Sequence, residues 1–289
     1  GRTYSLLSEA IYENRLKPFT LSAGLNYSQK YTNNEYTGDV SSVTPMHHNR
    51  VYLFSEIKGA WGKLRYSAGI GGSYLHYRQQ AHSYDYWSFC PKAALSYNFT
   101  HSLQLSYNFQ LNECTSRVAM ISDAAIRTNR MEWTVGSPDL KPNGETYHTL
   151  RLSYNDSRLQ INLQGFYKKC PHPNMAVYER TSDDRFIYTQ RNQKEIDALH
   201  AMAYASYWLM PEKLSVTAYG GLFRCFNFGH DYTHCYTSYF ATGALNAYLG
   251  NLSLHAYADN GSRFLEGETK GYSGGDIALK AAYLSLIHI

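Results

Sequence analysis

The sequence has no apolar run near the ~18 residues that a membrane-crossing helix requires. It is also poor in charge: 17 % of its 289 residues are Asp, Glu, Lys or Arg, against roughly 25 % in a soluble domain. The net charge of +4 is spread along the chain without a basic block, so no nucleic-acid partner is expected. The five cysteines, Cys90, Cys114, Cys170, Cys225 and Cys235, form no C-x-x-C pair and no framework spacing, which excludes a disulfide scaffold or a zinc-finger array. There are no paired catalytic carboxylates, no Ser-His-Asp arrangement and no phosphate loop. The glycine-rich stretch Gly69-Ile-Gly-Gly-Ser73 lacks the Lys and the helix that a nucleotide loop needs. No enzyme and no cofactor are therefore expected.

Tyrosine is abundant instead, with 28 Tyr against 12 Phe and 4 Trp. Its apolar ring and water-seeking hydroxyl suit a membrane–water boundary. The most telling stretch is Ser102 to Asn112. Leu103, Leu105, Tyr107, Phe109 and Leu111 take one parity; Gln104, Ser106, Asn108, Gln110 and Asn112 take the other. Successive strand side chains point to opposite faces, so one face is apolar and aromatic and the other carries amides and hydroxyls. Leu150–Tyr154, Leu159–Gln164 and Leu252–His255 repeat the pattern. Lipid on one side of a wall and a watery lumen on the other would select it.

Turn signals divide the chain into thirteen expected strands: 4–14, 19–31, 50–61, 64–78, 86–99, 102–112, 146–155, 158–180, 186–208, 214–228, 234–249, 252–265 and 272–284. Many reach the nine to eleven residues that a tilted strand needs to span a bilayer. Short connections alternate with longer ones at 32–49, 79–85, 113–145, 181–185, 229–233 and 266–271. Strands 158–180 and 186–208 are expected to make a tall outer hairpin, and 118–126 a short helical turn. The fold expected is all-β: a transmembrane antiparallel up-and-down barrel, present in part. Residues 1–284 read as one barrel piece from inside a longer gene product, with 285–289 a truncated or non-native end.

Val135-Gly-Ser-Pro-Asp-Leu-Lys-Pro142, followed by Asn143-Gly-Glu-Thr-Tyr147 and a strand, resembles the G-N-P-x-L-[KR]-P segment of TonB-dependent outer-membrane receptors. Ser137 replaces the usual Asn, and Asn143 a frequent Glu. Lys169–Met175 and Tyr188–Asn192 look like the matching elements of Bacteroidetes-type outer-membrane β-barrel proteins. Gly136, Pro138, Leu140, Lys141 and Pro142 read as a structural device that sets the chain's exit direction. The resemblance implies a 22-stranded wall, of which thirteen strands are somewhat more than half, in a Gram-negative outer membrane. It also implies a plug domain, contact with TonB through N-terminal segments, and import of a scarce nutrient such as a metal chelate, haem, cobalamin, glycan or peptide. The alternatives are a passive porin or other outer-membrane barrel, and a surface-displayed β-rich binding protein.

The nearest approach to a metal cluster is Cys225 with His230, His234 and Cys235. Pairing about a turn near His230 would set Cys225 opposite Cys235, leaving open a cross-strand disulfide, a metal site or two ordinary neighbours. His47-His48 leave open contact with an iron or haem ligand or an ordinary solvated loop, and Arg127, Arg130 and Glu132-Trp133 leave open contact with a ligand or plain decoration of the rim.

Overall fold

The computed structural model describes residues 1–36, 42–80, 82–115, 120–121 and 125–283. Residues 285–289 and most of the expected helical turn at 118–126 lie outside these. Within the turn, Ala125 and Ile126 are in a strand.

Fourteen strands form one antiparallel sheet. Its first half runs β1 (Arg2–Leu16), β2 (Phe19–Tyr36), β3 (Ser42–Trp61), β4 (Leu64–Gln79), β6 (Lys92–Asn98) and β7 (Leu103–Cys114). It continues through β10 (Asn143–Asn155), β11 (Leu159–Pro171), β14 (Glu195–Met210), β15 (Leu214–Phe228), β16 (Thr233–Leu249), β17 (Leu252–Asp259) and β20 (Ile277–Tyr283). The fourteenth strand, β5 (His82–Phe89), pairs with the upper part of β4. Neighbours in the sheet follow chain order throughout, as in an up-and-down wall. The sheet is not closed: among the described residues β1 pairs only with β2, and β20 only with β17.

Register decides which side chains share a face. One row runs Trp61, Leu64, Tyr97, Leu105, Leu152, Leu163, Ala203, Gly220 and Ala241. The next row on that face runs Gly59, Tyr66, Leu95, Tyr107, Leu150, Gly165, Ala201, Leu222 and Tyr239. Neither row contains a charge. Leu163 is 46 % exposed and Leu222 58 %, so no second layer covers them.

The opposite, inner face carries Gln104, Ser153, Asn162 and Tyr204 in one row. The uncharged character of 104–112 does not extend around the whole wall, because the inner face also holds ion pairs. Glu13 meets Lys58 at 2.9 Å, Glu56 meets Lys92, and Glu145 meets Lys168 at 2.5 Å. Each inward charge in these pairs has a partner across the strands.

One end of the wall has tight, self-capped turns. Thr100 Oγ1 accepts from the Ser102 and Leu103 amides, and Asp156 Oδ1 from those of Arg158 and Leu159, both at 2.8 Å. These amides, with the Tyr154 hydroxyl donating at 2.7 Å, hold the Asp156 carboxyl below the usual carboxylate range. Tyr154 is on the apolar face with its hydroxyl tethered at the turn, the placement expected at a membrane boundary.

Five expected strands are each broken in two, the last of them, 272–284, after residue 273 and before β20. The 86–99 segment divides into β5 and β6 at Cys90-Pro91, where proline has no amide to give the ladder. The 158–180 segment leaves the wall after β11 at His172-Pro173, with His172 at φ 52°, and resumes as β12 (Asn174–Arg180). The 186–208 segment divides into β13 (Phe186–Asn192) and β14 at Gln193-Lys194. The 252–265 segment turns at Asn260-Gly261 into β18 (Ser262–Glu266), which pairs with β19 (Thr269–Ser273). The expected outer hairpin exists as β12–β13, with its turn at Thr181–Arg185. It does not continue the wall, but forms a second sheet with β9 (Glu132–Val135) and β8 (Ala125–Arg127). The 113–145 connection is thus partly strand, and 32–49 is mostly a tall hairpin of β2 and β3.

Gly71 has a defined use. A Cβ there would lie 2.3 Å from the Tyr52 hydroxyl oxygen, so the glycine makes room for an aromatic ring on the inner face of the wall.

The two faces predict opposite tolerances. Leu163→Lys places a charge on the apolar face and is expected to cost about 2–4 kcal/mol if mid-bilayer. Asn162→Lys, one residue away on the inner face, is expected to be tolerated. Heat-modifiable migration of outer-membrane preparations reads the assembled fraction, and equal losses for both would contradict the assignment of faces.

Candidate functional site: the luminal rim

The three segments singled out in the sequence meet at one end of the inner face. Leu140 is 1 % exposed and packs with Met46, Tyr77 and Ile121, flanked by Tyr84 and Met120. Ser137 donates its amide to Met120 O at 2.7 Å, and Leu140 its amide to Ser137 O at 3.2 Å. Pro142 is buried and Lys141 exposed. Asn192, from the Tyr188–Asn192 segment, clamps this stretch. Its Oδ1 accepts from the Lys141 amide at 3.0 Å, and its Nδ2 donates to Lys141 O at 3.1 Å. The same amide nitrogen reaches His172 O at 3.0 Å and Asn174 Oδ1 at 2.5 Å. Leu140 therefore seats the motif in an apolar rim core, while Asn192 ties it to the point where β11 leaves the wall.

Behind the clamp is a polar cavity of about 550 Å³ between the wall and the second sheet. Glu145, Lys168, Asn143 and Cys114 line its wall side; Asn174, Tyr188 and Gln190 face them from β12 and β13. Glu145 is held by Lys168 on one oxygen and the Tyr147 hydroxyl on the other. Asn143, 7 % exposed, donates to Cys170 Sγ at 3.2 Å, while its Oδ1 accepts no hydrogen bond. A larger apolar groove of about 710 Å³, lined by Gly165, Ala201, Gly220 and the flanking leucines, is on the opposite face. Small side chains between large ones make it, and no polar group converges there.

A fork in the wall stands nearby. Pairing of β6 with β7 ends where Leu111 donates to Pro91 O, and β5 continues alone with β4. Glu113, its side chain 2 % exposed, meets Arg50 at 3.2 Å and Ser88 at 3.4 Å. It ties β7 to the strands across the fork.

Cys225 and Cys235 are not opposite one another. Cys225 pairs with Tyr236 and Phe226 with Cys235, because the hairpin turn is centred between Asp231 and His230 rather than on His230. That half-residue shift puts the two cysteines on opposite faces, Cys225 buried and Cys235 exposed, both as free thiols. His230 Nε2 lies 3.1 Å from Asn192 O, and His234 stacks on Tyr232 at 4.9 Å. Among the described residues no group of three or more His, Cys, Asp or Glu is arranged to hold a metal ion. His47 packs on Tyr31 at 4.7 Å, away from the rim cavity. Arg127 pairs in register with Trp133, and Glu132 accepts from Thr128 at 2.9 Å.

The family model described as "Outer membrane protein beta-barrel family" matches residues 5–263. The chain belongs to this family. Its place is accordingly the outer membrane of a Gram-negative bacterium, with the apolar rows facing lipid and the inner face lining the lumen. No curated protein sequence matches it. Solved structures similar to it include the copper transporter OprC, with a TM-score of 0.74 and 14 % identity over 99 % of this chain and 49 % of that one. The FrpB iron transporter of Neisseria meningitidis (F5-1 variant) gives 0.68 and 10 % over 98 % and 49 %. The ferric citrate transporter FecA gives 0.65 and 14 % over 96 % and 46 %. The chain spans about half the length of these proteins, and the likeness is one of fold. The segment 135–142 lies beside the cavity; Asn143, Glu145 and Lys168 of the cavity wall belong to no short motif and were missed as a group.

Two measurements check the rim. Asn192→Ala is expected to cost about 1–3 kcal/mol through the polar groups it strands, seen as faster proteolysis between β9 and β13 with the wall intact. Alkylation without reductant is expected to label Cys235 quickly and Cys225 slowly; protection of both until reductant is added would indicate a disulfide.

Proposed function

We propose that this chain is wall and rim of a TonB-dependent importer, which captures a scarce nutrient at the luminal rim and admits it when TonB moves a plug domain. The observation that carries this reading is the second sheet, β8, β9, β12 and β13, pinned by Asn192 over the inner face and enclosing a polar cavity. A passive pore works by an open lumen, whereas a capture receptor needs fixed polar groups at its mouth. The paired charges of the inner wall, Glu13–Lys58 and Glu56–Lys92, suit a surface against which a plug of the full-length protein seats and moves. Such a surface must be polar and hydrated, without an apolar face that would lock it.

The similar structures are named as carriers of copper, iron and ferric citrate. Fold likeness at 10–14 % identity does not transfer a cargo, so the substrate is read from the cavity itself. Ligand bound at the rim would exchange with the cell surface, and energised plug movement would open the way to the periplasm.

The test is accumulation of a labelled panel (ferric citrate, haem, cobalamin, an oligosaccharide and a short peptide) by cells carrying the full-length gene. For the ligand that binds, accumulation is expected to fall at least about tenfold on deletion of TonB or addition of a protonophore, with surface binding kept. Uptake that is indifferent to both treatments and rises linearly with concentration would mean a passive porin.

A further inference from the structure

We infer that the inner wall beneath the rim cavity is a saccharide-binding surface, on which an oligosaccharide stacks its sugar rings. This rests on the importer reading above and names the class of cargo.

The inner face changes character along one row. From β3 to β10 that row reads Lys58, Ser67, Ala94, Asn108 and Thr149; on β11, β14 and β15 it turns to Phe166, His200 and Phe223. The three rings touch in sequence, with centroids 5.1 and 5.0 Å apart, and Tyr147 joins them 5.5 Å from Phe166. In the rows below, Phe240 packs on Tyr219 at 4.9 Å. A Cβ at Gly221 would lie 2.9 Å from the Phe240 ring, so the glycine lets that ring rest against the wall. None of these six rings is fully buried. Apolar rings left on a wet face are unfavourable, and a ligand that covers them removes the penalty. A moving plug is the wrong cover, since the surface that suits it is the charged and polar one on β1 to β6.

The polar groups beside the rings decide the kind of ligand. Arg151 Nε and Nη2 donate to Gln164 Oε1 at 3.0 and 2.6 Å. That pairing holds both planar groups and leaves three of the guanidinium's five N–H donors, and the Gln164 amide NH2, for a ligand. Asn162 accepts from Ser153 through Oδ1 at 2.8 Å, which leaves its NH2 as a further donor. With Tyr204 and Tyr219 these side chains line a groove of about 390 Å³. A flat apolar ligand would use the rings and leave the donors unused. A peptide or an anionic chelate would use the donors and gain little from the rings. A pyranose uses both: its C–H face packs on the electron-rich face of an aromatic ring, and the hydroxyls around its edge accept from Arg, Gln and Asn.

Tyr147 joins this surface to the rim. Its hydroxyl donates to Glu145 and its ring carries the Lys168 ammonium at 5.6 Å, and both partners line the rim cavity. A ligand passing inward from the cavity meets the rings next.

The experiment titrates the full-length receptor in detergent with maltopentaose, cellopentaose, xylopentaose and mannopentaose, by calorimetry. At least one is expected to bind. Phe166→Leu and Phe223→Leu keep apolar bulk but lose the ring, and each is expected to weaken that sugar about fivefold to tenfold, with Phe223→Tyr within about twofold of the parent. Phe223→Trp keeps a ring in place, and its added fluorescence is expected to change when the sugar is supplied. Binding of none of the four sugars, equal affinity in the Leu variants and the parent, or a silent tryptophan would each overturn the assignment. Uptake is scored separately. TonB-dependent accumulation of a different cargo removes this inference alone, whereas sugar binding with TonB-independent uptake removes the importer reading alone.

Discussion

A backbone amide in hydrocarbon must find its hydrogen-bond partner within the protein, since there is no water to supply one and each orphan costs several kcal/mol. Everything in this wall follows from that constraint. It forces long strands paired on both sides, which fixes neighbour order, and neighbour order with period-two alternation fixes the two faces. Leu105, Leu152 and Leu163 stand in one row, and Gln104, Ser153 and Asn162 in the adjacent row behind it. A slip of one residue between β10 and β11 would send Leu163 and its neighbours into the lumen and the amides into lipid. Register is therefore enforced by the solvent on each side more than by any single contact.

Where the bilayer ends the constraint relaxes, and the chain uses the freedom at once. Proline, positive φ and changes of partner all appear at the rim: Pro91 at the fork, His172-Pro173 where β11 departs, and the parallel pairing of β13 with β9. Order there comes from specific side chains. Asn192 makes four contacts to Lys141, His172 and Asn174, Glu113 spans the fork to Arg50 and Ser88, and Leu140 sits in the apolar cluster. Fixing a second sheet over the inner face in this way produces a cavity whose polar groups hold set positions.

The parts of this architecture visible in the sequence are those with a repeating physical cause. Alternation of Leu103–Leu111 against Gln104–Asn112 gave the faces, turn residues such as Thr100 and Asp156 gave one rim, and their spacing gave thirteen consecutive wall strands. The broken strands were misjudged because apolar-polar alternation in 174–180 and 186–192 is the same in a wall and in an outer sheet; only the His172-Pro173 exit distinguishes them. Within the motif 135–142, Leu140 is buried and the Lys141 backbone is hydrogen-bonded by Asn192. The cavity was not legible. Glu145, Lys168 and Asn143 are ordinary strand residues at unremarkable spacing, and they become a site only when β12 and β13 fold back across them. Cys225 and Cys235 carry a related lesson, since a half-residue shift of the turn centre moves a residue to the other side of the wall.

One face of this sheet meets hydrocarbon and the other an aqueous lumen. Spin labels placed singly at Leu103, Gln104, Leu105, Ser106, Tyr107 and Asn108 of the protein in bilayers test it most directly, through their collision rates with oxygen and with a water-soluble nickel chelate. A strict two-residue oscillation is expected, with oxygen favoured at the odd positions and the chelate at the even ones. Odd positions shielded from both reagents would mean that they pack against a second protein layer, and would contradict it.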